Sequence, residues 1–325
     1  MNLGRVGVIL NGGGFAGAFS VGSAEAIFEK GIFPACIQGV SVGALTACEI
    51  AEANSVEKAK TGWLDIEKKR AKTIFNWRDF ITTVPRQKNA LYYNDGLQAV
   101  INNIDFHKVI NSQIEIQIVT KNESKDWELT VFSNREPRFK ENPELFKKPV
   151  LASTAIPGFL PPVLIENETH SDGVHFCLES MISAGCDTIF ILLNDQADEE
   201  VSRWDQRLSY SRHILYEETV ISRLEKVFKK HPDYYFLEDG NLGIDAKPPH
   251  LVKTIREQFK NILKDLAQGV DPDLTPHRII VVHSRTPIPS LHTTGFEIGD
   301  IRAMILQGYD QTKQLLDKLI SPQHK

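Results

Sequence analysis

Three short segments of this 325-residue chain carry residue types at spacings that can do chemistry. The first is Gly12-Gly13-Gly14-Phe15-Ala16-Gly17, which follows an apolar run directly. Glycines between a strand and a helix let successive backbone N–H groups point into one concave turn at the positive end of a helix dipole. Such a turn suits a phosphate, or the oxyanion of an acyl-transfer intermediate. The second segment is Gly39-Val40-Ser41-Val42-Gly43, a G-x-S-x-G that projects a serine from a tight strand-to-helix turn, with Gly39 and Gly43 relieving the crowding. The Val42 N–H opens the next helix and can join the oxyanion donors. The third is Ser171-Asp172-Gly173, where Gly173 lets an aspartate turn its carboxylate towards a pocket.

Each segment alone has a plainer reading. Gly12, Gly14 and Gly17 also satisfy the G-x-G-x-x-G dinucleotide fingerprint, which needs an acid about 20 residues on, at the end of the second strand. The stretch Ile32 to Gly39 holds no acid, so a nucleotide-binding protein loses its second support. A Ser-His-Asp triad would activate Ser41 through a histidine, and His283, at the end of a strand-like run, is the best placed of the ten. Asp172 competes for the same task, and most Asp-Gly pairs are only turns.

These residues need elements to hold them. Val6 to Leu10 is a continuous apolar run of the kind found in a buried parallel strand, and Ala18 to Lys30 has helical spacing stopped by Gly31. Ile32 to Val40 reads as a second strand and Ala44 to Ala53 as a second helix. Residues 57–110 read as helical, with an apolar stretch at 74–81. Strands are expected at Ile114 to Thr120, Glu128 to Ser133, Val163 to Ile165, Thr188 to Leu193 and Arg278 to His283, with helices at Met181 to Ala184 and Ile301 to Leu319. The organisation expected is an α/β core over 1–196, a charged helical insertion or cap without strands over 197–275, and a closing strand and helix over 276–325.

Composition narrows the function. A formal net charge of −5 argues against nucleic acid as partner, since phosphate binding rests on concentrated Lys and Arg. The four cysteines form no C-x-x-C pair, so no metal is expected, and Cys36 and Cys48 read as buried thiols. No window reaches the ~18 apolar residues that span a bilayer, and no signal-peptide pattern precedes Val6, so a cytoplasmic location is expected.

Glycine turn, serine elbow and late Asp-Gly, in that order, resemble the patatin-like phospholipase family. The block Ala152 to Pro162 is similar to the family's Ala-Ser-x-Ala-x-Pro-x-x-Phe-Pro-Pro, and the stretch from Asp172 through Asp187 to its segment leading into a helix and strand. The resemblance implies a three-layer α/β/α fold around a mostly parallel sheet. It implies a Ser41–Asp172 dyad without a catalytic histidine, oxyanion donors around Gly12, Gly13 and Gly14, no cofactor, and a phospholipid or other acyl-lipid substrate met by transient contact with a membrane surface. Two positions depart from the family: Ala16 stands where Arg or Lys is common, and Val174 where a small residue is.

Overall fold

The computed structural model describes residues 3–69, 95–157, 160–196, 234–238, 277–284 and 296–320. Its centre is the run Val6–Leu10 (β1), buried at every position because it pairs on both edges and is covered on both faces. β1 runs parallel to Cys36–Val40 (β2) on one side and to Thr188–Gln196 (β7) on the other. Glu115–Asn122 (β3) continues the parallel pairing beyond β2. Glu128–Ser133 (β4) and Glu168–Asp172 (β6) both pair with β3 in antiparallel fashion, and Val163–Ile165 (β5) pairs with β6. Beyond β7 lie His277–Ser284 (β9) and then Tyr234–Glu238 (β8), both parallel.

Alternation along the strands builds two cores. Val6, Val8 and Leu10 of β1, with Phe190 and Leu192 of β7, face one hydrophobic cluster. That cluster also holds the apolar faces of Ala18–Glu29 (α1), Val42–Ala53 (α2) and Asp300–Ile320 (α9). Ile9, Ile189, Ile191 and Leu193 face the opposite side, where Leu178 and Met181 of Leu178–Ser183 (α8) cover them. The layers are therefore α/β/α around a mostly parallel sheet, as expected. Helices Glu57–Lys69 (α3), Asp95–Ile101 (α4), Phe106–Asn111 (α5), Pro137–Glu141 (α6) and Lys147–Ser153 (α7) complete the described α-helices.

α1 and α9 cross where both carry glycine. A Cβ on Gly22 would stand 1.8 Å from the Ile305 carbonyl oxygen, and one on Gly308 would stand 2.1 Å from that of Phe19. This close approach docks the C-terminal helix onto the first helix of the core.

Two expectations are corrected. The excursion over 197–275 is not purely helical: Tyr234–Glu238 is a strand and forms the edge of the sheet beside β9. The strand expected at Val163 to Ile165 is present and forms a hairpin with β6, which Asp172 ends. The rest of 197–275 and the apolar stretch 74–81 lie outside the described residues. The second strand is also shorter than expected, since Ile32 to Ala35 form the connection into it.

Candidate active site

The strand-to-helix turn at Ser41 is built as the glycine spacing anticipates. Ser41 sits between β2 and α2 with φ 54 and ψ −127, outside the usual regions for an L-residue. Its neighbours leave no room for side chains: a Cβ on Gly39 would lie 2.5 Å from the Ala44 Cα, and one on Gly43 would lie 2.1 Å from the Leu10 carbonyl oxygen. The turn is held from outside. Ser41 N–H donates to the Ser153 Oγ at 2.9 Å, and that hydroxyl donates to the Val119 carbonyl at 2.7 Å. Ser153 thus ties the elbow to β3 from the end of α7.

Asp172 is buried and reaches the same place from β6. Its N–H donates to the Ala155 carbonyl at 2.9 Å, and its Oδ1 accepts from the Val174 N–H at 2.8 Å. Gly173 passes close over β3, where a Cβ would stand 2.6 Å from the Val119 carbonyl oxygen. Burial pushes the Asp172 carboxyl up to about 6, against an ordinary value of 3.8. The Ser41 hydroxyl beside it, the hydrogen bond from the Val174 N–H and the charge of Lys121 pull in the opposite direction and limit the rise.

The glycine turn lies against the elbow. A Cβ on Gly12 would stand 3.0 Å from the Ser41 Cβ. Gly13 has φ 142 and Gly14 φ 59, both in the left-handed half of conformational space, and Gly14–Gly17 then form one 3-10 turn leading into α1. Among the described residues no acceptor engages the N–H of Gly12 or Gly13. Gly17 packs on the elbow helix, since a Cβ there would lie 2.6 Å from Val42 Cγ1. Ser41, Asp172, Gly12 and Val42 are therefore gathered at the same end of the parallel strands, with the glycine turn closing that corner.

His283 is not part of this group. It pairs in register with Leu193 on β9, and β7 and β1 stand between β9 and β2. Three strand spacings, about 14 Å, separate its backbone from the strand that carries Ser41. A triad through His283 is ruled out by that sideways distance.

A family model described as Patatin-like phospholipase matches residues 8–177, just over half of the chain. This chain belongs to the patatin-like phospholipase family. The match spans the glycine turn, the elbow, the block at Ala152 and Asp172. That family is one of lipid hydrolases, and membership supports a lipid-hydrolysing activity here. No curated protein sequence matches the chain. Among solved structures, VipD from Legionella pneumophila is 15% identical with a TM-score of 0.47, over 97% of this chain and 67% of that one. The type III effector protein ExoU is 11% identical with a TM-score of 0.36, over 97% of this chain and 53% of that one. Full-length ExoU from Pseudomonas aeruginosa, in complex with SpcU, is 13% identical with a TM-score of 0.31, over 98% of this chain and 69% of that one. The chain spans between about half and two thirds of the length of these structures.

Against the patatin-like phospholipase pattern, the two departures have physical consequences. Ala16 is buried inside the 3-10 turn, so no basic side chain projects from that position. Val174 holds φ 58 while half exposed, a conformation that a β-branched residue adopts only under strain. Two residues that touch the site were not singled out from sequence. Ser153 lies inside the Ala152 block, where only its family pattern was visible. Asn194 follows the apolar run of β7, and a polar residue ending such a run is the one signal that marked it.

Proposed function

We propose that this chain hydrolyses carboxylic esters of lipids through a Ser41–Asp172 dyad and an acyl-enzyme. The observation that carries this reading is the buried Asp172 carboxyl beside the Ser41 hydroxyl, pushed by that burial up to about 6. A carboxylate at its ordinary acidity is a poor base for a serine; desolvation improves it. Asp172 takes the hydroxyl proton as Oγ attacks the ester carbonyl. The N–H groups of Gly12, Gly13, Gly14 and Val42 stabilise the tetrahedral oxyanion. Protonated Asp172 then gives its proton to the leaving alcohol. Water, deprotonated by the same carboxylate, cleaves the acyl-enzyme and regenerates Ser41.

The substrate is a phospholipid or related acyl lipid, reached by transient contact with a membrane surface from the cytoplasm. Among the described residues no helix is long and apolar enough to cross a membrane. Labelling with a fluorophosphonate tests the reading, together with hydrolysis of short-chain p-nitrophenyl esters. Wild type should label and turn over, and Ser41→Ala should do neither. Equal labelling of the two proteins would remove Ser41 from the chemistry.

A further inference from the structure

The geometry points to Asn194 as the residue that orients the oxyanion-binding amides, a positioning role that rests on the Ser41 chemistry proposed above. Asn194 is 1% exposed at the end of β7, beyond the family match. Its Nδ2 donates to two main-chain carbonyls of the glycine turn, Asn11 O at 2.6 Å and Gly12 O at 3.2 Å. Its Oδ1 accepts from the buried Ser20 hydroxyl of α1 at 2.6 Å. Carbonyls only accept, so the nitrogen must face the turn, and Ser20 holds the amide in that sense. The side chain has all three of these polar contacts inside the core.

The consequence follows from peptide planarity. In a strand, successive carbonyls point to opposite sides. Here β1 lies between β7 and β2, and Asn11 keeps the strand pattern, its N–H bonding the Leu192 carbonyl of β7. The Gly12 carbonyl breaks the pattern, because Asn194 draws it to the β7 side as well. In a trans peptide the N–H points opposite to the C=O. The N–H groups of Gly12 and Gly13 are therefore both turned towards the β2 side, where Ser41 stands. Two consecutive amides aimed one way make an anion nest. The turn packs directly on the residue that shapes it, since a Cβ on Gly13 would lie 3.0 Å from the Asn194 Cβ.

An oxyanion exists only after attack, so a loosened nest lowers kcat and leaves KM in place. The test compares p-nitrophenyl ester kinetics of the full chain with those of Asn194→Ala, Asn194→Asp and Ser20→Ala. Removing a hole donor outright costs roughly 10²–10³-fold in kcat; misaiming two amides should cost about 10–100-fold in both Asn194 variants, with KM within about twofold. Asn194→Asp keeps the shape and loses the donors, so it separates aim from packing. Ser20→Ala keeps the amide but frees it, and should lose about 3–10-fold in kcat. Should both Asn194 variants fail to fold on a melting curve, Ser20→Ala decides alone. Variants with wild-type kcat, or with a raised KM and unchanged kcat, overturn the role of Asn194 and leave Ser41 untouched. A wild type without Ser41-dependent turnover overturns the function and this inference together.

Discussion

Ser41 and Asp172 meet through a strand to which neither belongs. On one edge of β3, Val119 pairs with Val40 at the end of β2, and the next residue, Thr120, pairs with Asp172 at the end of β6. A parallel partner and an antiparallel partner thus abut along a single edge. The residue that leaves the first, Ser41, is placed beside the residue that terminates the second. Ser153 and Gly173 close on the same point, one bonding the Val119 carbonyl and the other passing over it.

Activity should rise with pH through the Asp172 acidity. With the carboxyl up at about 6, kcat/KM is expected to increase across pH 5–7 with a single ionisation near that value. A profile flat to pH 4, or one governed by a group near 9, would take the base role from Asp172.

Stability should move the other way. The folded-state acidity of Asp172 is raised above its unfolded value near 3.8, so the folded protein holds the proton more tightly between the two. The contribution is full below the unfolded value and is lost as pH climbs through about 6. At neutral pH the buried charge then costs on the order of 3 kcal/mol. Asp172→Asn is expected to abolish turnover and raise Tm at pH 7.5, with little gain at pH 4. Thermal melts at both pH values check this.

Ser153→Ala should harm both fold and rate. It strips the acceptor from the Ser41 N–H and the donor from the Val119 carbonyl, each buried, at about 1–3 kcal/mol. A lower denaturation midpoint together with a reduced kcat is expected. His283→Ala, three strands away, should keep most of the activity.

Glycine substitutions should separate activity from folding. Gly12→Ala places a methyl 3.0 Å from the Ser41 Cβ and should fold while losing kcat. Gly43→Ala drives a methyl to 2.1 Å from a β1 carbonyl and should yield little folded protein. Expression yield and melting curves, set beside esterase rates, distinguish the two.

Val174→Gly should stabilise. Left-handed backbone costs an L-residue about 1–2 kcal/mol, and glycine returns about 0.5–1 kcal/mol of that as unfolded-state entropy. A net gain of up to about 1 kcal/mol corresponds in a chain of this size to a Tm higher by up to about 1.5 °C. The backbone N–H that serves Asp172 is kept.

Much of this was legible in the sequence for definite reasons. β1 and β7 are buried on both faces, so their apolar runs are continuous, and the elbow is fixed by glycines whose absent side chains would collide. β6 escaped because it reads Glu-Thr-His-Ser-Asp. Its polar side chains find polar partners, His170 the Thr120 hydroxyl of β3 at 3.0 Å and Glu168 the Lys125 ammonium of the turn after β3 at 2.6 Å. β8 escaped because the five-residue run Tyr-Tyr-Phe-Leu-Glu, inside a long charged segment, shows no alternation. Asn194 was visible as a residue type, but a bond from β7 to the first glycine turn is a fact of topology that local pattern does not encode.

The shared edge of β3 also has a consequence for biosynthesis. A nascent chain presents the proposed nucleophile early and its proposed proton acceptor only after the middle of the polypeptide has emerged. Any product cut or terminated ahead of residue 172 carries the serine without the acid, whatever else it has folded.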